Sequence, residues 1–333
     1  MILAFIDHDR GTLNLLCLQM LTFGRGLAEK LGVPLQAVLI GCDPAPLLDE
    51  LHRYGVSSIH LVKHPWLEDY APEAWAKSIA QLIKSAQPQV LLAASTERGN
   101  EVLAHVGALA DLPMAANCVQ LNPGPRFQVL RQRWGSSLLE EAELHGDPKF
   151  ITIAPHIIDA TEGKTCAEPA LETFSPTLDE KDLRVRLTAR EETQSEGVDL
   201  RTASVVVGGG RGVGSQEGFQ LLEELASVLG GAVGGSRVAT NNGWRPHSDQ
   251  IGLTGNRIAP NLYIACGISG AIQHLVGCKG AKHVLVINKD NAAPFFRRAD
   301  FGVVGDLHEI LPALISEIRK RRTQTGLSSV KCG

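Results

Sequence analysis

Short apolar runs rich in valine, isoleucine and leucine alternate along this chain with longer amphipathic stretches, and the rhythm restarts halfway. A strand that is apolar along its whole length must be covered on both faces. Joined to the next strand through a helix, it pairs in parallel, with helices above and below the sheet. The predicted class is α/β, with two doubly wound parallel-sheet (Rossmann-like) domains.

In the first half ILAFID (2–7), LQAVLIG (35–41), SIHLVK (58–63) and VLLAAST (90–96) read as strands. Residues 12–31, the segment PLLDELHRYG, 72–87 and 99–111 read as helices, with Thr12 as an N-cap, Gly32 as a stop and Pro72 in a first turn. From 118 to 154 the runs CVQL, FQVLRQRW, SSLLEEAEL and FITIAP follow one another across short turns, which predicts a sheet edge completed by antiparallel strands. Residues 159–200 are polar and mixed in charge. Within them LRVRLTA alternates like one strand, and the domain boundary is placed near 195, giving domains 1–195 and 196–333. In the second half ASVVVGGGRG, NLYIACG, HVLVIN and FGVVGD predict strands. Residues 215–230 predict a helix capped by Ser215 and Gly230, and LHEILPALISEIRKRR a closing helix with cations in its last turn. The tail 323–333 is expected to fray.

The net charge is −4 and aromatic residues make up 5%, so neither the basic surplus nor the stacking platforms of a nucleic-acid binder are present. Seven cysteines, an odd number without CxxC spacing, argue for reduced thiols rather than a disulfide framework or a cysteine-ligated zinc site. No apolar run reaches the roughly 18 to 20 residues of a membrane span. MILAFIDHDRG lacks the basic start and long apolar stretch of a signal peptide and reads as a first buried strand. A cytoplasmic location is expected.

The chemistry-bearing motifs crowd into the second half. VVVGGGRGVG misses the GxGxxG fingerprint, since counting from Gly208 the sixth position is Val213 and from Gly210 it is Ser215. A glycine turn into a helix still suits an anion, with Arg211 either its cation or an ordinary exposed turn residue. EGKT (162–165) is no phosphate loop, because Ile158 stands where a glycine is required. GISGA (267–271) approaches a nucleophile elbow around Ser269, but its fifth position is Ala271, and Asp300 or Asp306 with His308 would crowd a triad into one strand end. Three readings compete for His274: a packed core histidine, part of a nucleophile site, or a contact to a cofactor. Gly270 and Cys278 at helical spacing around it give no histidine or carboxylate co-ligand for a metal. The segment 234–255, with Ser236, Arg237, Trp244, Arg245 and Thr254, is too long and glycine-rich for an ordinary connector.

Taken together, GGRG (209–212), GGSR (234–237), IGLTG (251–255), GISGAIQH (267–274), INKD (287–290), AP (293–294), AD (299–300) and GDL (305–307) resemble the alpha subunit of electron transfer flavoproteins. The resemblance implies an FAD held mainly by the second domain. Arg211 and Ser236 would help hold its phosphates and ribityl chain, with Arg237 beside the isoalloxazine. Ile251, Gly252, Leu253 and Thr254 would line the ring, Thr254 near N5. Ser269, Gly270, Ala271, Ile272 and Gln273 would wrap the ribityl–pyrophosphate. His274 would face the pyrimidine end near O2, where a donor or cation favours the negative charge of a reduced ring. Asn288, Asp306 and Leu307 would meet the adenosine side. Leu253 departs from the family, which often carries Gln there. The resemblance further implies a heterodimer with a beta subunit packed on the first domain. Electrons would pass from flavin dehydrogenases, such as acyl-CoA dehydrogenases of fatty acid beta-oxidation, to a quinone reductase or ferredoxin-type acceptor. A carrier needs no catalytic acid, base or nucleophile. A nucleotide-dependent oxidoreductase with a similar sheet and a flavin-free scaffold subunit are the alternatives.

Overall fold

The computed structural model of the chain describes residues 1–163, 168–189 and 198–324. The boundary expected near 195, the end of EGKT and the tail beyond 324 lie outside the described residues. The chain divides into two compact units, Met1–Glu191 and Glu192–Gly333.

The first unit contains β1 (Ile2–Phe5), β2 (His8–Asp9), β3 (Thr12–Leu13), α1 (Leu16–Leu31), β4 (Leu35–Ile40), α2 (Leu48–Arg53), β5 (Ser58–Val62) and α3 (Pro72–Ala86). After these come β6 (Val90–Ala94), α4 (Glu97–Ala110), β7 (Met114–Asn122), β8 (Gln128–Arg133), β9 (Leu138–Glu143), β10 (Lys149–Ile153) and β11 (Ala170–Phe174). Its sheet runs β11-β5-β4-β1-β6-β10-β7-β8-β9. Pairing is parallel from β11 to β7 and antiparallel across β7, β8 and β9. Strand β1 shows why the apolar runs dictate this. Ile2 and Ala4 point into a core shared with Leu21 and Leu27 of α1. Leu3 and Phe5 point the other way, into a core with Trp75 and Ile79 of α3 and Leu103 of α4.

Four expectations need correction here. Thr12 caps no helix; α1 starts at Leu16, and residues 8–13 fold into a small antiparallel hairpin. Its turn, Arg10–Gly11, has positive φ at both residues, and the Gly11 N–H donates to His8 Nδ1. FITIAP is not at the edge. Phe150, Ile151 and Ile153 are apolar on both faces, and β10 slots in parallel between β6 and β7. LRVRLTA forms no strand; the outer parallel strand is β11, whose Glu172 lies opposite buried His60. Helix α4 begins earlier than expected, at Glu97, where Thr96 Oγ1 accepts from the Gly99 N–H at 2.8 Å.

Where β1 and β6 diverge, the unit fills its own strand ends. Arg98 donates to the His8 carbonyl at 2.8 Å and stacks 4.7 Å from the centre of the Tyr70 ring. Asn14 donates to buried Asp7 at 3.1 Å, and His8 Nε2 meets the Ile40 carbonyl at 2.9 Å.

The second unit contains β12 (Val205–Gly209), α5 (Phe219–Leu229), β13 (Ala232–Gly235), α6 (Arg237–Asn241), β14 (Leu262–Cys266), α7 (Ile272–Gly277), β15 (His283–Asn288), β16 (Phe301–Val304) and α8 (Leu307–Gln324). All five strands are parallel in the order β13-β12-β14-β15-β16. The helix expected over 215–230 starts at Phe219, and Ser215 Oγ accepts from Gly218 N–H in the turn before it. Gly230 ends that helix in the left-handed conformation, as expected. The strand order reverses between β12 and β14, and in such sheets that crevice is where ligands bind.

Thr96→Ala removes the acceptor for an otherwise orphaned helix N–H. It should lower the unfolding free energy of the first unit by about 1 kcal/mol, read by urea unfolding monitored at Trp75; an unchanged midpoint would refute the cap.

Candidate functional site

At the switch point the chain runs backbone against backbone. The Gly210 N–H donates to the Cys266 carbonyl at 2.9 Å and the Gly212 N–H to the Gly267 carbonyl at 3.0 Å. Gly267 N–H continues to Ile287 O at 2.8 Å, and Ser236 N–H ties the end of β13 to Gly209 O at 2.8 Å. A Cβ on Gly267, whose φ is +63°, would lie 2.6 Å from Gly212 Cα. No side chain fits there, so the loops after β12 and β14 meet main chain to main chain.

Two cations border this groove. Arg211 sits in the turn after β12, and Arg237 opens α6 after β13. Both are exposed, and neither guanidinium has a hydrogen bond or ion pair among the described residues. Ser236 is buried, its Oγ accepting from Ala239 N–H as the cap of α6.

The 250–258 loop is stitched to its surroundings by backbone bonds: Ile251 N–H to Gly235 O at 2.8 Å, Leu253 N–H to Gln273 O at 2.8 Å, and Ile258 N–H to Gly277 O at 2.7 Å. The Ile251 side chain belongs to the core. Gly277 of α7 is needed because the loop passes against it; a Cβ there would stand 2.3 Å from the Gly252 nitrogen. Leu253 and Thr254 are exposed. Thr254 Oγ1 accepts from Gln250 Nε2 at 3.0 Å, and Gln250 Oε1 accepts from buried Thr240 Oγ1 at 3.0 Å. Gln250 and Thr240 were not singled out in the sequence. Their signal is faint, a glutamine directly before a buried isoleucine.

Ser269, Ala271, Ile272 and Gln273 are exposed beside the groove, while Gly270, at φ +87°, is pressed against Phe295. The Ser269 hydroxyl has no histidine or carboxylate partner among the described residues, so no triad assembles around it. His274 is 6% exposed. Its Nε2 lies 2.8 Å from the Tyr263 hydroxyl. Its Nδ1 is the buried side-chain polar atom left without a hydrogen-bond partner among the described residues. Burial pushes its pKa down to about 4, so the ring is neutral at pH 7.

The remaining candidates have structural duties. Asn288 braces the loop after β14, its Nδ2 donating to Ile268 O at 3.0 Å and its Oδ1 accepting from Asp290 N–H at 3.0 Å. Asp306 accepts from His308 N–H at the start of α8 and pairs with Lys289 at 3.1 Å; these donors hold its carboxyl below the usual range. Leu307 packs in the core under α8. The fold thus gathers Arg211, Ser236, Arg237, residues 251–254 and residues 269–274 at the ends of β12, β13 and β14. It sets Asn288, Asp306 and Leu307 at the ends of β15 and β16. Among the described residues no group of three His, Cys, Asp or Glu side chains is placed to hold a metal.

A seam with no room for side chains, bordered by two exposed guanidiniums without a partner among the described residues, fits an anionic ligand. Comparisons with known proteins agree. Residues 199–279 match a family described as the electron transfer flavoprotein FAD-binding domain, and residues 2–179 match the electron transfer flavoprotein domain. The electron transfer flavoprotein subunit alpha of Thermoanaerobacterium thermosaccharolyticum is 34% identical over 319 residues, covering 95% of this chain and 97% of that protein. The subunit of the same description from Megasphaera elsdenii is 34% identical over 327 residues, covering 96% and 97%. Protein FixB of Azorhizobium caulinodans is 35% identical over 325 residues, covering 96% and 88%.

The depressed pKa of His274 has a sign that unfolding can read. Between 6.5, the ordinary value, and about 4, the unfolded chain binds a proton there and the folded chain does not. Stability should therefore fall as pH drops through that window, by up to about 1.4 kcal/mol per pH unit. Buried His8 and His60, also shifted down, add slopes of the same sign. Urea unfolding of the flavin-free chain should show a shallower pH slope for His274→Asn than for wild type; equal slopes would contradict a neutral, buried imidazole.

Proposed function

Since the chain belongs to the electron transfer flavoprotein family as an alpha subunit, we propose that its second unit holds FAD in the groove between the loops after β12, β13 and β14. FAD is the cofactor of this family's domain, and the chain carries that domain over residues 199–279. The observation that carries the assignment of the groove is the backbone contact of Gly210 and Gly212 with Cys266 and Gly267, which leaves no room for side chains where the loops after β12 and β14 meet and so lets a diphosphate approach the main chain. Arg211 and Arg237, exposed and unpaired, neutralise it. Ser236 shapes the entrance by capping α6. Residues 251–254 and 269–274 line the rest, with Thr254 offering a hydroxyl already oriented by Gln250. Leu253 puts an exposed apolar side chain on this wall, which offers the ring no side-chain hydrogen bond.

Bound FAD supplies the electron-accepting and electron-donating chemistry. The chain's residues bind it, orient it and set the polarity around it, and no acid, base or nucleophile is required of them. The protein acts as an electron carrier, working as a heterodimer with a beta subunit against its first unit. It takes electrons from flavin dehydrogenases, acyl-CoA dehydrogenases among them, and delivers them to a quinone reductase or a ferredoxin-type acceptor. No described helix is long and apolar enough to cross a membrane, and we place the complex in the cytoplasm.

The visible spectrum of the chain co-purified with its beta subunit tests this. Two flavin bands are expected, with FAD in the supernatant after heating; a colourless, folded complex would overturn the proposal. Arg237→Ala should weaken FAD binding about 10- to 100-fold, the worth of one charged hydrogen bond, by titration of the apo-complex with FAD.

A further inference from the structure

Tyr263 lies in β14, fully buried, stacked 6.1 Å from the His274 ring between centroids. Phe295 meets the imidazole edge-on at 5.9 Å. The Tyr263 hydroxyl has one hydrogen-bond partner among the described residues, His274 Nε2. A buried phenol proton needs an acceptor, and this nitrogen is the one within reach. An Nε2 that accepts leaves the proton of a neutral imidazole on Nδ1. The Ile251 carbonyl, also against the ring, fits this arrangement, because it can only accept. The opposite tautomer would have Nε2–H donate to the phenol oxygen. That would strand the phenol proton and bury a bare Nδ1 lone pair. The phenol keeps its place because residue 208 is glycine; a Cβ there would stand 2.1 Å from the hydroxyl oxygen.

We propose that Tyr263 is a positioning residue for the cofactor site: its hydroxyl fixes His274 as the Nδ1–H tautomer, so that the wall formed by α7 carries a neutral imidazole of one defined tautomer rather than a cation. The downward shift of the histidine by burial agrees, since a ring neutral at pH 7 has a tautomer to fix. The effect on the cofactor rests on the FAD reading above. The tautomer itself does not, and the two can fail separately.

The tautomer is read by nitrogen NMR on the full chain labelled with 15N-histidine, first flavin-free and then in the FAD-loaded heterodimer. The wild type should show His274 with a pyrrole-type Nδ1 and a pyridine-type Nε2 at neutral pH. In Tyr263→Phe, which keeps the ring in the core, the second tautomer should appear. The FAD midpoint potential of the heterodimer should then move away from the wild-type value. A wild-type ring protonated on Nε2, or on both nitrogens, overturns the proposal. So does Tyr263→Phe with Nδ1–H alone retained, or with mixed tautomers and an unchanged potential. A heterodimer without flavin would sink the FAD reading and leave the apoprotein tautomer as it was measured.

Discussion

The second unit depends on one close approach, the meeting of Gly212 and Gly267 where β12 and β14 part. With 2.6 Å between a would-be Cβ on Gly267 and the Gly212 Cα, any other residue at 267 would force the two loops apart. The same contact aligns the Gly210 and Gly212 N–H groups on the carbonyls after β14. From there the stitching continues through Gly267 to β15 and through Ser236 to β13. The position of Arg211, Arg237 and the 250–258 loop follows from that seam, because each sits one or two residues beyond a stitched peptide.

The two units share a chain logic and differ at the place where it usually yields a binding site. In the first unit the ends of β1 and β6 are closed by Arg98, Asn14, Asp7 and His8, each spent on an internal partner. In the second the corresponding strand ends carry glycines and free cations. A doubly wound sheet does not imply an open crevice; the residues just past the strands decide whether it is filled.

How much of this was legible in the sequence depended on how local the signal was. Apolar runs such as ILAF and VVVGG announced their strands because burial on both faces requires every residue to be apolar. Strand β13 hid behind its glycines, which carry no hydrophobic pattern yet are needed where Ile251 packs on Gly234. The insertion of β10 between β6 and β7 is a long-range pairing that no local pattern encodes. In the site, the glycine motifs and the two arginines were legible, whereas the burial of His274 was one of three open readings. Tyr263 was not legible, since a tyrosine inside NLYIACG looks like any other core aromatic until the fold brings its hydroxyl to the histidine. The reverse held for Leu307, Asn288 and Asp306, whose motif positions are occupied by core packing, loop bracing and the start of α8.

The stitched loops tie the cofactor to the folding equilibrium of the second unit. In the proposed site the peptides beside the cofactor are the ones that join strand ends β12 through β15, so binding there would belong to the folded state alone. At free FAD a hundredfold above its dissociation constant, this linkage adds about 2.7 kcal/mol to stability, as much as a well-packed core side chain. Substitutions in these glycines act on the fold, and in the proposed site they would act a second time through the lost ligand. In a cell short of flavin that linkage would be missing, and the chain would be less stable by the same amount.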